Sequence, residues 1–236
     1  MPKISLEPFL ERDFRAFEKH RQDDPEYNAL RLSIRRKLKA IVDEVKVRAK
    51  PLGYELSAQG GIHHPHSYNA FRVREQRAYL CRSDKERKKL SSFFGEALGK
   101  DAETHYIQTV LECSLDGQVV EAAMRIHPQA WWDGEHLKKT LAKPEAMADW
   151  CQQLKLLPPG FSLRLHDWKK MYWANAATPR ELGELFASYT PGEHWLHVVR
   201  ELPSEDAVAM GPEAPEWAVT SLVALLPVWR TALWTP

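Results

Sequence analysis

The stretch from His105 to Ile126 constrains the fold more than any other part of the chain. Ile107, Thr109, Leu111 and Cys113 alternate with Gln108, Val110, Glu112 and Ser114. Asp116-Gly117 follows, and then Val120, Ala122, Met124 and Ile126 alternate with Glu121 and Arg125. Period-two alternation sends one set of side chains to each face of a strand. Asp-Gly between two such runs predicts a β-hairpin, because glycine accepts the positive φ of a tight hairpin turn. The chain is thereby committed to an antiparallel sheet.

Helical signals surround this hairpin. Ser5 is a candidate cap for a helix to about His20, with Phe9, Phe14 and Phe17 on one side. Asp24-Pro25 opens a second helix, with Asp as cap and Pro in the first turn. Leu30, Ile34, Leu38, Ile41 and Val45 give it an apolar stripe that Pro51 and Gly53 end. Ser83-Asp84-Lys85-Glu86 has capping-box spacing and predicts a helix to about Leu98. Trp131–Ala142 and Pro144–Leu157 read as two further helices, and Thr178-Pro179-Arg180-Glu181 opens another, to about Tyr189. Pro215 opens a last helix that Pro227 should kink or divide. Short strands are expected at Tyr54–Leu56, Tyr68–Val73, Ala78–Arg82, Phe161–Leu165, Lys170–Ala174 and His194–Leu202, with a turn at Gln59-Gly60-Gly61.

Strand neighbours of hairpin type dominate, without regular βαβ alternation. The fold class predicted is α+β: a single domain over residues 1–236, with a largely antiparallel sheet and helices packed on one face. Pro158-Pro159-Gly160 is the weak point at which a boundary could fall. The segment after it holds too few strands for a core of its own.

The helix pair at the N-terminus, the loop with His64-Pro65 and Asn69, the Leu90-Ser91-Ser92-Phe93 helix and the His105-to-Ile126 hairpin together resemble the YktB-like family of uncharacterised bacterial proteins. The resemblance covers roughly the first 140 residues. It implies an α+β fold and brings no active site with it.

Composition narrows the setting. With 236 residues, 44% of them apolar, the chain can bury a core without covalent staples. Its three cysteines, Cys81, Cys113 and Cys151, are far apart and lack a C-x-x-C pairing, which points to a reducing, cytoplasmic compartment. No apolar signal region precedes Glu7. The apolar stretch Trp217–Trp234 is broken by Thr220, Ser221, Pro227, Arg230 and Thr231, so no membrane partner is expected.

Charge is unevenly spread. Residues 1–100 carry net +8 and the remainder net −7, within an overall +1. Such a split is an argument about partners, not about fold. Arg31, Arg35, Lys39 and Lys46 fall at helical spacing beside the apolar stripe of the second helix, extended by Arg36 and Lys50. Arg72, Arg74 and Arg77 precede Arg82, Lys85, Arg87, Lys88 and Lys89, with Tyr68, Phe71 and Tyr79 interleaved as stacking surfaces. Such arrays bind phosphate backbones by counterion release. The leading reading is therefore a non-enzymatic protein whose basic half meets nucleic acid or an acidic protein. The plain alternative is a solvated face, since Asp43, Glu44, Glu75, Asp84 and Glu86 lie close by.

Three other constellations carry chemistry. His63, His64 and His66 stand in a Gly-rich loop and could ligate a borderline metal such as zinc, the basis of an alternative reading as a metal-dependent hydrolase or nuclease. His105 and Cys81 are the distant ligands such a site could add. Glu112, Asp116, Glu121, Asp133 and Glu135 form an acidic group in which Glu112 and Glu121, on opposite arms of the hairpin, are candidate neighbours. Trp131-Trp132-Asp133, His166-Asp167-Trp168 and His194-Trp195-Leu196-His197 point to a tryptophan-lined cleft. A third functional reading is self-association, the acidic half of one copy meeting the basic half of another in a homo-oligomer. No phosphate-cradling glycine loop of the kind that holds an NTP or dinucleotide occurs, nor a nucleophile elbow, and the cofactor is left unknown.

Overall fold

The computed structural model describes residues 6–61, 70–103, 107–166 and 168–235, with backbone only for 95–103. The helices are α1 (Glu11–Arg15), α2 (Asn28–Ala49), α3 (Asp84–Glu103), α4 (Trp131–Leu141), α5 (Pro144–Lys155), α6 (Pro179–Ser188), α7 (Ser204–Met210), α8 (Glu213–Ala224) and α9 (Leu226–Ala232). The strands are β1 (Leu56–Gly60), β2 (Glu75–Arg82), β3 (Thr109–Asp116), β4 (Val119–Ile126), β5 (Phe161–Leu165), β6 (Met171–Trp173) and β7 (Leu196–Pro203). They form one sheet in the order β1-β2-β3-β4-β7-β5-β6, antiparallel at every pairing. Strands from both sides of Pro158-Pro159-Gly160 share this sheet, so the fold is a single α+β domain.

The hairpin stands where its alternation placed it, with Leu115 opposite Val120 and Thr109 opposite Ile126. Its turn is held differently from the expectation. Gly117 does not take a positive φ. The Asp116 carboxylate accepts the N–H groups of Gln118 (2.7 Å) and Val119 (2.9 Å), mimicking a backbone turn.

Alternation sorts the sheet into two unlike faces. Leu80, Leu111, Cys113, Leu115, Val120, Ala122, Met124, Leu163 and Val198 point one way and join a continuous core. The apolar stripe of α2 (Ile34, Leu38, Ile41, Val45) lies in the same core, and α2 packs on β1, β2, β3 and α8. α7, α8 and α9 cover neighbouring strands. On the opposite face Tyr79, Cys81 and Val110 form a small separate apolar cluster, and charged side chains take many of the other positions.

Local signals explain the helix ends. Asp24 accepts from Glu26 N at 2.9 Å before Pro25, opening a 3₁₀ turn that runs into α2. Ser83 and Glu86 exchange capping-box bonds ahead of α3, and Thr178 and Glu181 do the same for α6. Gly53, at φ 84°, closes the 3₁₀ turn Lys50–Leu52 that follows α2.

Four elements differ from the sequence reading. The first helix is only Glu11–Arg15, with Asp13 reaching back to Leu10 N. Its candidate cap Ser5 lies outside the described residues. Gln59 and Gly60 belong to β1, where Gly60 lets the Arg35 guanidinium approach its backbone. Residues 70–73, at the end of the expected Tyr68–Val73 strand, are turn and coil. α7 has no counterpart in the sequence reading, whereas the helix expected from Pro215 is divided at Pro227, as expected, into α8 and α9.

Candidate functional site

The predicted basic residues do not gather on one face. Arg31 is buried: its spacing places it with the apolar stripe, not beside it. Its guanidinium donates to Asn28 Oδ1 at 2.9 Å and to the carbonyls of Asp24, Arg21 and Ala16, stitching the N-terminal loop to α2. Arg35 donates to Gly60 O at 3.4 Å, and Lys39 pairs with Asp43 one turn away. Arg77 pairs with Glu75 and Glu112. Lys46, Arg72, Arg74, Lys88 and Lys89 are exposed. Arg72 and Arg74 precede β2 while Lys88 and Lys89 follow it, and eight strand residues separate those ends by about 26 Å. Of the stacking candidates, Tyr79 is buried and Phe71 is exposed.

His63, His64 and His66, together with Tyr68 and His105, lie outside the described residues. Among the described residues no group of three or more His, Cys, Asp or Glu side chains is placed to hold a metal. All three cysteines are free and buried. Burial pushes the Cys81 thiol up to about 11, which suppresses the thiolate.

The acidic group does converge, onto arginine. Arg125 on β4 binds Glu112 of β3 and Glu121 of its own strand. Arg77 of β2 lies 3.7 Å from Glu112, and Arg164 of β5 lies 3.5 Å from Glu121 and 2.8 Å from Glu201 of β7. Glu75, Arg77, Glu112, Arg125, Glu121, Arg164 and Glu201 thus make one chain of alternating charge across the exposed side of the sheet. Burial raises the Glu121 carboxyl, and Glu201 opposite it adds to the rise. His197 stands between Arg125 and Arg164 in register. It is 7% exposed, its Nε2 has no hydrogen-bond partner among the described residues, and burial with the two flanking guanidiniums holds it well below the ordinary imidazole range.

The remaining members of that group, Asp133 and Glu135, belong to a different place. Asp133 is fully buried at the start of α4. It accepts from Arg82 Nη1 (2.9 Å), Thr109 Oγ1 (2.7 Å) and Trp234 N (2.9 Å), while Arg82 also donates to Trp234 O. This buried pair ties β2, β3, α4 and the C-terminal segment together. Gly134 lets α4 sit close to the loop after α6, since a Cβ there would lie 2.4 Å from the Tyr189 hydroxyl.

These ties shape a groove of about 430 Å³ between α3, α4 and the C-terminal segment. Its walls are Phe93 and Phe94 of α3, Trp131 and Trp132 of α4, and Trp234. The rings meet at angles: Phe93–Trp234 at 5.1 Å between centroids, Phe94–Trp132 at 5.1 Å and Phe94–Trp234 at 5.4 Å. Phe93 is 63% exposed and Trp131 43%, so each offers a ring surface to a ligand. Glu135, His136, Lys139, Thr140 and Lys143 complete the lining. Burial lowers His136 from the ordinary imidazole value. Lys89 precedes Phe93 by one turn on the same side of α3, with Lys88 beside it. Lys88, Lys89, Lys139 and Lys143 are all exposed, and among the described residues only Lys139 has a carboxylate near it, Glu135 at 3.6 Å.

Trp131 and Trp132, which the sequence points to as a cleft, line the groove, while Lys88 and Lys89 stand on α3 about one turn before Phe93, outside its lining. Phe94, Lys139, Lys143 and Trp234 escape a sequence reading, because their common location depends on the Arg82–Asp133 tie. The other tryptophan-histidine groups do not reach the groove: Trp195 packs on His127 and His197 at the other side of the sheet. Compared with protein-family models and with curated proteins, the chain matches none.

Proposed function

We propose that the groove between α3, α4 and the C-terminal segment binds single-stranded nucleic acid, bases against its rings and phosphates on its lysines. The observation that carries this reading is the pairing of two exposed rings, Phe93 and Trp131, with two exposed lysines, Lys139 and Lys143, in the lining of one groove, and with exposed Lys89 one turn before Phe93 on α3. Single-strand binding needs those two things: π-faces that accept any unstacked base, and a positive track for the backbone. A duplex hides its bases and would gain only the charge term.

The reading keeps the nucleic-acid partner expected from the basic half of the chain but relocates it. Arg31, Lys39 and Arg77 are committed to internal partners, so they are not free to meet a phosphate. Lys88 and Lys89 retain the role expected of them, and Lys139 and Lys143 join from the acidic half.

Tryptophan fluorescence of the full chain, titrated with a twelve-nucleotide oligo(dT), tests the proposal. Saturable quenching that Trp131→Ala and Phe93→Ala each weaken is expected. Quenching indifferent to both substitutions would remove the groove as the binding site.

A further inference from the structure

On the reading of the groove as a nucleic-acid site, we infer that it discriminates among bases and prefers guanine, with Glu135 as the reading residue. Trp131, Trp132, Glu135, His136 and Lys139 follow one another on α4 at helical spacing, so the carboxylate stands between the stacking rings and a phosphate-binding lysine. The Glu135 side chain is 40% exposed, and its nearest cation, Lys139 Nζ, is 3.6 Å away, beyond hydrogen-bond length. No hydrogen bond within the described residues uses its oxygens, so both can accept from a ligand in the groove.

A carboxylate only accepts, and that selects among bases. Guanine presents two adjacent donors, N1–H and the N2 amino group, which match the two oxygens of one carboxylate as a bidentate pair. Adenine and cytosine each offer one amino donor beside a ring-nitrogen acceptor that repels the second oxygen. Uracil and thymine offer a single N–H flanked by two carbonyls. With the base against the groove's rings, the guanine pair is worth roughly a tenfold to hundredfold preference. The flanking lysines supply the phosphate attraction that every nucleotide shares, so they set affinity and Glu135 sets the order among bases.

The test is a fluorescence titration of the full chain with 5′-GMP, IMP, AMP, CMP and UMP, and with a twelve-nucleotide oligo(dT). The expected order places GMP tightest, IMP second because it lacks the N2 amino group, and the other three weaker by at least tenfold. In E135Q the ratio of GMP to AMP affinity should fall to near one. Equal binding of the mononucleotides by the unsubstituted protein, alongside binding of oligo(dT), would overturn the guanine preference and leave the groove reading standing. A GMP preference that survives in E135Q would overturn Glu135 as the reader. Failure of oligo(dT) and every mononucleotide to bind would overturn both readings.

Discussion

The exposed side of the sheet and the aromatic groove are both rich in charge, and they use it oppositely. On the sheet, Arg77, Arg125 and Arg164 are each held by two carboxylates. In the groove lining, Lys143 has no carboxylate partner among the described residues and Lys139 has only Glu135 at 3.6 Å; Lys88 and Lys89, about one turn before Phe93 on α3, are likewise without one among the described residues. A charge already neutralised at short range contributes little to a ligand's field, whereas an exposed lysine releases counterions when a phosphate arrives. A positive count along the sequence therefore says little about binding until the partners of each cation are known. Val199, Ala123 and Ser114 lie among these charged residues in register and are all buried.

If this contrast holds, substitutions in the two regions should separate stability from binding. The largest effect is expected at Glu112. Glu112→Ala leaves Arg125, 8% exposed, short of a partner at the middle of the charge chain, and should destabilise the fold by about 3–5 kcal/mol. Urea unfolding measures this, and a loss below about 1 kcal/mol would show that the network is not structural.

Next comes Trp131→Ala in the groove. It should weaken oligo(dT) binding by about 1–3 kcal/mol while leaving the unfolding midpoint nearly unchanged, because the ring is already 43% exposed. Equal losses of binding and stability would merge the two regions again.

The sheet face should also respond to pH. His197 is held neutral when folded, by burial and then by Arg125 and Arg164, so the unfolded chain binds the proton more readily. Stability is therefore full above the ordinary imidazole value of about 6.5 and falls as pH drops below it, by up to about 1.4 kcal/mol per unit for this one group. His127 and His136 shift in the same direction and add to the slope. His197→Gln should reduce the slope that unfolding measures between about pH 5 and about pH 6.5, where the unfolded imidazole takes up its proton and the folded one does not. An unchanged slope would place the proton uptake elsewhere.

The smallest effect is expected from Lys88→Ala with Lys89→Ala. Stability should hold within about 0.5 kcal/mol. The logarithmic dependence of binding on salt should become shallower by roughly 1.4, about 0.7 for each phosphate on a single strand that a lysine no longer neutralises.

Local rules are legible in the sequence wherever one segment decides its own structure. The β3–β4 hairpin, the capping boxes at Ser83 and Thr178, the Asp24-Pro25 start and the Pro227 division can all be read from neighbouring residues. Sequence reading fails where distant segments decide. Arg31 shares helical spacing with exposed cations, but the carbonyls of residues 16–24 draw it inward. Gly60 reads as a turn residue, and pairing with Ala78 makes it strand. Glu112 and Glu121 are recognisable as hairpin neighbours, while Arg125 at their centre and Arg164 from β5 are not. The groove is half legible: Trp131 and Trp132 stand out, yet their sharing a groove with Trp234 depends on Asp133 capturing Arg82 and the C-terminal backbone.

One measurement bears most directly on the groove as a single-strand site: parallel titrations at low salt of a twelve-nucleotide strand and of the same strand annealed to its complement. The strand should bind at least tenfold more tightly than the duplex, and the advantage should vanish when Phe93 and Trp131 are both changed to Ala. Equal affinities for strand and duplex in the unsubstituted protein would contradict the account, because charge alone would then be carrying the interaction.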